Sequence, residues 1–309
     1  MQSNKRWTLY WAATRPQYLT ASAAPVLVGS VAGLAAAGTF HWPLFGLALV
    51  AIMALHAGAN VINDYYDHLS GNDWVNTNPT PFSGGSRFIQ QGKLSPKATL
   101  WTGLACLGLG AGIGLVIVAW TRSSFILGLG LAGVLGGFFY TARPIQLGYR
   151  GVGEPVIGIL FGLLPVYGSY YLQAGKVDTV PLLPALIVGA LIFEVILINE
   201  FPDFHADAQV RKRTLVVALG IPGAAWIYRA VLAASFLCAG IMLLRQVTFW
   251  AGLLYLLTVP VALFAWRAAN PVDLQVAGRW RANQLTILQH GLGSLGLTLG
   301  LWLHHVHIR

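Results

Sequence analysis

The sequence predicts an all-α, polytopic membrane protein with about nine transmembrane helices. Three observations lead there. The 309 residues are 56% hydrophobic and only 9% charged, where a soluble domain carries about 25% charged residues. The mean hydropathy is +0.65. Apolar stretches of about 20 residues, the length that crosses a bilayer, recur from one end of the chain to the other. No water serves the peptide groups inside a bilayer, so a spanning chain satisfies its own backbone as a helix.

The elements follow in order. The opening MQSNKRWTLYWAATRP is basic and amphipathic and lacks the apolar core and cleavage site of a signal peptide. It reads as an interfacial segment leading into the first span. The expected spans cover 17–38, 43–66, 97–119, 123–141, 153–173, 181–201, 221–244, 248–266 and 284–303. No repeat relates them and no soluble segment stands apart, so residues 1–309 read as a single transmembrane domain. The loop charges set the sides. With the N-terminus in the cytoplasm, the inner side holds Lys5, Arg6, Arg15, Arg87, Lys93, Lys97, Arg143, Arg150, Arg211, Lys212, Arg213, Arg267, Arg279 and Arg281. The outer side holds only Arg122, Lys176, Arg245 and Arg309. This is the positive-inside asymmetry, and an odd number of spans puts the C-terminus outside. The net charge of +9 is therefore a mark of topology and not of a nucleic-acid surface. Arg229 remains within a span, near one end. Cys106 and Cys238 fall inside spans and read as small packing residues with no disulfide implied.

The acids are distributed unevenly. Only ten are present, and seven gather on the inner side at three helix ends. Asp64, Asp67 and Asp73 stand in NVINDYYDHLSGND, Glu154 at the start of the fifth span, and Glu200, Asp203 and Asp207 in NEFPDFHADAQVRKRTL. Asn60, Asp64 and Asp67 are spaced by four and three residues and share one helical face; Asn63 and Asp67 are also four apart. Gly71 can end that helix and turn Asp73 back toward it. Asn199, Asp203 and Asp207, each four apart, make a second such face. A single Asp at a helix end is ordinarily a solvated residue, and carboxylates at a helix C-terminus oppose the macrodipole. Two acidic faces on one side repel each other unless divalent cations sit between them. Mg²⁺ takes oxygen ligands, uses few carboxylates, keeps waters and shares substrate phosphates.

These two segments resemble the paired aspartate-rich motifs of the UbiA superfamily of intramembrane aromatic prenyltransferases. The resemblance covers most of the chain and includes TRPQYLTASAAPVLVG and YTARPIQLGYRGVGEPVIG. It implies nine helices around a central cavity, capped by motif-bearing loops on the cytoplasmic side. Asp67, Gly71 and Asp73, followed by PFSGGSRFIQQGKLS, are most similar to the branch containing 1,4-dihydroxy-2-naphthoate polyprenyltransferase. His68 and the Pro81–Gly85 stretch depart from the 4-hydroxybenzoate and haem O branches, which place an Arg directly after the motif Asp. The glycine-bearing loop is expected to pack over the cavity mouth. The localisation expected is a bacterial inner membrane, with the N-terminus and active site cytoplasmic.

The resemblance implies transfer of a polyprenyl group from its diphosphate to an activated aromatic ring, in menaquinone synthesis for this branch. Diphosphate leaves readily only when its charge is neutralised, which metal ions do. Asp64, Asp67, Asp73, Asp203 and Asp207 are the expected Mg²⁺ ligands, with Asp67 and Asp203 central to catalysis. Asn60, Asn63 and Asn199 complete the shell. Lys212, Arg213 and Arg143 are expected on the diphosphate, since Arg binds phosphate bidentately and Lys as a point charge. Positive-inside topology alone also explains the basic loops. Aromatic faces shield an allylic cation, and Tyr140 is the chosen candidate among Tyr65, Tyr66, Tyr149, Phe201 and Phe204. Glu154, Glu200 and His205 are candidate bases for the acceptor phenol. His56 reads equally as a packed helix–helix hydrogen bond. Glu194, an acid inside the sixth span, is expected to line the cavity. Two other readings stay open. One is the same chemistry on homogentisate, 4-hydroxybenzoate or a tetrapyrrole. The other is a cation-coupled secondary transporter, a class that shows inverted repeats and midplane sites.

Overall fold

The computed structural model describes residues 2–77, 79–276 and 278–308. The side chains of residues 2–6 and 308 are outside this description, so the expected charges Lys5, Arg6 and Arg309 fall outside the described residues. The fold is helical. In chain order, α1 is Gln2–Ala13, α2 Thr20–Ala37, α3 Trp42–Ser70, α4 Asn72–Val75, α5 Pro96–Thr121 and α6 Ser124–Phe139. There follow α7 Gly153–Ile157, α8 Leu164–Ala174, α9 Leu182–Glu200, α10 Phe204–Gln209, α11 Leu215–Met242, α12 Phe249–Leu256, α13 Val259–Ala268 and α14 Arg281–Ile308.

Each of the nine expected spans is a helix or a broken pair. Among the described residues six helices are long and apolar enough to cross a membrane: α2, α3, α5, the run Gly153–Ala174 from α7 to α8, α9 and α11. A seventh arises if α12 and α13, bent by 53°, form one span. The other two differ for physical reasons. At 16 residues, α6 reaches about 24 Å, short of a hydrocarbon core of about 30 Å. At 28 residues α14 is long enough, but its apolar face is interrupted by Asn283, Thr286, Gln289, His290 and Ser294, all buried against neighbouring helices.

Local chemistry shapes the spans that border the site. α3 stops at Gly71, whose φ of +83° is the left-handed cap that glycine adopts without penalty. The chain then reverses into α4. The Gly153–Ala174 span carries a π-helical turn over Gly158–Leu163. Pro165 accounts for it, because its ring displaces the carbonyl four residues back and it has no N–H to offer. α11 begins earlier than its apolar run suggests and is kinked at Gly220, just before Pro222. Between α3 and α5 the backbones approach closely: a Cβ on Gly103 would lie 2.5 Å from Ile62. Small residues permit such contacts where no hydrophobic force drives helix association.

The main core joins α2, α8, α9, α12 and α14 through Val28, Val166, Ile187, Leu191, Tyr255 and Leu297. The outer surface is apolar, with Trp101, Leu115, Trp120, Leu131, Trp226 and Leu237 exposed, as lipid contact requires. α1 presents Trp7 and Trp11 outward while Ala13 packs on Val61 and Leu94, the arrangement of an interfacial segment.

Candidate functional site

The two acidic faces meet. α3 brings Asn60, Asn63 and Asp67 to the wall of a cavity of about 210 Å³, and α9 with the turn after it brings Asn199, Glu200 and Asp203. Asp73 on α4, Asp207 on α10, Lys212, Tyr140 and Arg15 complete the wall. The motifs are hydrogen-bonded to each other. Asn72 Nδ2 donates to Asp207 Oδ1 at 2.9 Å, and Asn76 Nδ2 to Asp203 Oδ1 at 2.8 Å. Lys212 Nζ lies 3.3 Å from Asp67 Oδ2 and 3.6 Å from Asp207 Oδ1, bridging the first motif to the second. Within α3, Asn63 donates to Asp67 at 3.1 Å, the four-residue pairing that its spacing sets.

The loop after α4 covers this end of the cavity, as the sequence predicts. Thr80 Oγ1 accepts from the amides of Phe82 and Ser83, and Phe82, Ser83, Gly84 and Gly85 all face the cavity. Gly85 has φ +71°, and a Cβ there would sit 3.0 Å from Asp64 Oδ1 and 3.3 Å from both oxygens of Asp73. Only glycine brings backbone so close to two carboxylates in that conformation. The following amide, Ser86 N, donates to Asp64 at 3.3 Å. Arg15 pairs with Asp64, and its buried Nε has no partner.

The electrostatics follow from burial. Asp73 is pushed up to about 8 by burial, then by Asp67 and Asp64. Burial raises Asp207 to about 6 against the pull of Lys212. Burial opposes the charge on Lys212, yet Asp207 and Asp67 hold its ammonium well above the ordinary value. Burial and then Asp67 raise Tyr149, whose hydroxyl donates to Asp67 Oδ1 at 2.9 Å and whose ring lies under Lys212. Carboxylates this crowded favour an added cation. Among the described residues no three acidic, His or Cys side chains form a ready metal cage. The donor set nonetheless fits a hard divalent ion: it is all oxygen, Asn72 Oδ1 is buried without a donor, and Mg²⁺ needs only one or two carboxylates beside water and phosphate.

Other expected positions differ. Arg143 and Arg213 are exposed and do not line the cavity. Arg213 pairs in a β-bridge with Arg150, and in extended chain its side chain points opposite to that of Lys212. Glu154 is fully buried off the cavity and accepts the Leu215 amide at 2.5 Å, holding the start of α11. Glu200 is the acid that reaches the wall. Glu194 faces away from the cavity, and His205 borders a separate depression beside Trp280. His56 does line the cavity, its Nδ1 2.7 Å from Ser22 Oγ and its ring 4.8 Å from Phe161. Arg15, Asn72, Asn76 and Gln90, which bonds Asp73 at 3.1 Å, escaped the sequence reading as site residues. Asn72 and Asn76 carry a signal that was there to be used: they repeat the four-residue spacing of Asn60 and Asp64.

The sequence profile of the UbiA prenyltransferase family matches residues 22–290. A Mycobacterium tuberculosis protein named 1,4-dihydroxy-2-naphthoate octaprenyltransferase is 33% identical over 98% of this chain and 95% of its own length. A Haemophilus influenzae protein of the same name is 30% identical over 96% and 98%. The solved structure of a UbiA homolog from Archaeoglobus fulgidus bound to GPP and Mg²⁺ superposes with a TM-score of 0.65 at 15% identity, covering 93% of this chain and 99% of that one.

Proposed function

Because this chain belongs to the UbiA prenyltransferase family, we propose that it moves a polyprenyl group from its diphosphate to 1,4-dihydroxy-2-naphthoate, with Mg²⁺, as one catalytic transmembrane domain. It is an integral membrane prenyltransferase. The observation that carries the proposal is the joining of two Asn/Asp faces around one cavity by Asn72, Asn76 and Lys212. The acceptor follows the names of the relatives, which match this chain nearly end to end.

Each part of the chain then has a task. Asp67, Asp73, Asp203 and Asp207 are the residues that would hold Mg²⁺, with Asp64 tied to the cluster through Arg15. The bound ion would act as a Lewis acid and template for the leaving diphosphate. Lys212 and the free Nε of Arg15 supply fixed positive charge on the same anion. Asn60, Asn63 and Asn199 offer amides at the wall. Tyr140, Phe82 and Phe161 present ring surfaces that shield a developing allylic cation from water. Glu200 is the carboxyl placed to take the acceptor's phenol proton. A separate apolar cavity of about 290 Å³ lies among α3, α5, α6 and α8; Leu55 on α3 and Gly133 on α6 line it, while the neighbouring His56 and Gly137, one turn on from Gly133, line the polar one.

Purified protein with one polyprenyl diphosphate should prenylate 1,4-dihydroxy-2-naphthoate faster than 4-hydroxybenzoate or homogentisate in parallel assays. A preference for either competitor overturns the acceptor and leaves the family intact. The excess of basic residues on the loops of the site's side supports a cytoplasmic site at a bacterial inner membrane. Single cysteines at Thr77 and Gln209, in a chain lacking Cys106 and Cys238, should label from that side and one at Lys176 from the other; the reverse pattern inverts the orientation.

A further inference from the structure

We propose a second site, on the opposite side of α9 from the catalytic cavity: a buried monovalent-cation site, for Na⁺, built on Glu194, Tyr228, Tyr255 and Gln289. It is independent of the substrate assignment above.

α9 presents two faces to different surroundings. Ile192, Val195, Ile196 and Asn199 line the catalytic cavity. Glu194 lies about 200° round the helix from Ile192 and does not line it. It is fully buried, and neither carboxyl oxygen has a donor. An acid in this position is costly unless something offsets its charge or its unmet hydrogen bonds. Among the described residues no basic side chain is paired with it. Arg229, next to Tyr228 in sequence, is directed elsewhere, to the Trp266 carbonyl and over the Trp266 ring.

The hydroxyl protons around Glu194 can be followed one by one. α14 runs antiparallel along α9, with Asn283 on Ile198 and Gly293 against Leu191 and Tyr255, which sets Gln289 level with Glu194; Tyr255 on α12 and Tyr228 on α11 are the phenols of that layer. Thr286 Oγ1 donates its single proton to the Ala282 carbonyl at 2.8 Å. In the 2.7 Å bond between Tyr228 and Thr286 the phenol is therefore the donor. Ser235 Oγ donates to the Leu232 carbonyl at 2.7 Å, so Tyr255 is the donor in its 2.7 Å bond to Ser235. Thr258 Oγ1 donates to the Tyr255 carbonyl and accepts from Gln289 Nε2 at 2.8 Å. Gln289 also hydrogen-bonds the Tyr255 phenol, and its own Oε1 is buried with no donor. Every one of these hydroxyl protons is directed away from Glu194. What remains is oxygen: two carboxylate oxygens, two phenol oxygens and one amide oxygen.

A set of acceptors with one carboxyl group and no other donor is satisfied in one of two ways, by a proton kept on Glu194 or by a hard cation between the oxygens. A singly charged ion neutralises one carboxylate, whereas a divalent ion would leave an uncompensated charge in the membrane interior. Such an ion ties α9 to α11, α12 and α14. α9 ends at the second motif, and α14 already holds that end, with Asn283 donating to Ile198 O at 3.1 Å and to Asn199 Oδ1 at 2.9 Å. The ion fixes the helix that presents Asn199 and Asp203 without touching substrate.

The test is thermal unfolding of the purified full chain in detergent with EDTA, Na⁺ being exchanged for N-methylglucamine at constant ionic strength. Na⁺ should raise the unfolding midpoint by about 3–8 °C in a saturable manner. The rise should vanish in Glu194→Gln, weaken at least tenfold in apparent affinity in Gln289→Leu, and persist in Asp203→Asn. Should Glu194→Gln fail to fold, direct ²²Na⁺ binding to the wild type and to Gln289→Leu decides. A midpoint indifferent to Na⁺, or no ²²Na⁺ bound, overturns the proposal in favour of a protonated Glu194. A Na⁺ response that survives Glu194→Gln and disappears in Asp203→Asn overturns it in favour of the aspartate cluster.

Discussion

Asp73 is where charge crowding in the site is most pronounced. Its carboxyl, at 3.8 in isolation, stands near 8 once buried beside Asp67 and Asp64. The folded protein thus binds a proton there that the unfolded chain releases. That contribution to stability is complete below about pH 3.8 and is lost as the pH rises through about 8. A divalent ion needs the carboxylate and displaces the proton. Mg²⁺ added to weakly buffered protein at pH 7 should therefore release about one proton per site, and far less at pH 9.5; equal release at both values would show that Asp73 is not the group displaced. Sequence spacing revealed Asp67, Asp73, Asp203, Asp207 and their asparagines because helical periodicity survives in a linear string. It did not reveal Arg15 against Asp64 or Asn72 against Asp207, since those contacts join residues far apart in sequence, and the four-residue spacing of Asn72 and Asn76 marks a shared face without naming its partner. Arg143 and Arg213 misled for a related reason. Basic residues on inner loops report topology, and nothing in their spacing tells which way each side chain points.

At the scale of elements, the spans were legible as apolar runs, while their irregularities were legible only in part. Gly71 announced the end of α3. The π-helical turn before Pro165 and the kink at Gly220 depend on how neighbouring helices take up the displaced backbone, and apolar length is blind to both. The limit of α14 was hidden for the same reason: a helix packed among others crosses with fewer apolar residues than one facing lipid, whereas α6, which exposes Leu127, Leu131 and Leu135, is simply short. The covering loop gives the sharpest prediction here. Gly85→Val adds side-chain atoms against Asp64 and Asp73 at a positive φ. It should lower Mg²⁺-dependent turnover at least tenfold. Gly92→Val is the matched control, because Gly92 has φ +65° but open space around its Cβ position. It carries the backbone strain, on the order of 1–2 kcal/mol, without the contact, so turnover should stay within about twofold. Equal losses in both variants would show that strain in the loop, and not crowding of the carboxylates, is what matters.

For the whole molecule, the apolar exterior, the basic loops on one side and the meeting of two distant motifs describe one enzyme, with its chemistry gathered at one membrane face and a separate apolar cavity among α3, α5, α6 and α8. The fold class was readable from composition, because the bilayer leaves a chain few ways to satisfy its backbone. That the two acidic faces close on a single cavity was readable only as an inference from repulsion, and it is the claim on which the rest stands. A double-mutant cycle on Asp67→Asn and Asp203→Asn, read as Mg²⁺-dependent binding of a non-reactive prenyl diphosphate analogue by calorimetry, tests it directly. If both residues serve one metal–diphosphate cluster, each single variant loses at least tenfold in affinity and the double variant loses little more than either alone. If the losses multiply, or if neither variant changes the Mg²⁺ dependence, the two motifs do not share a site.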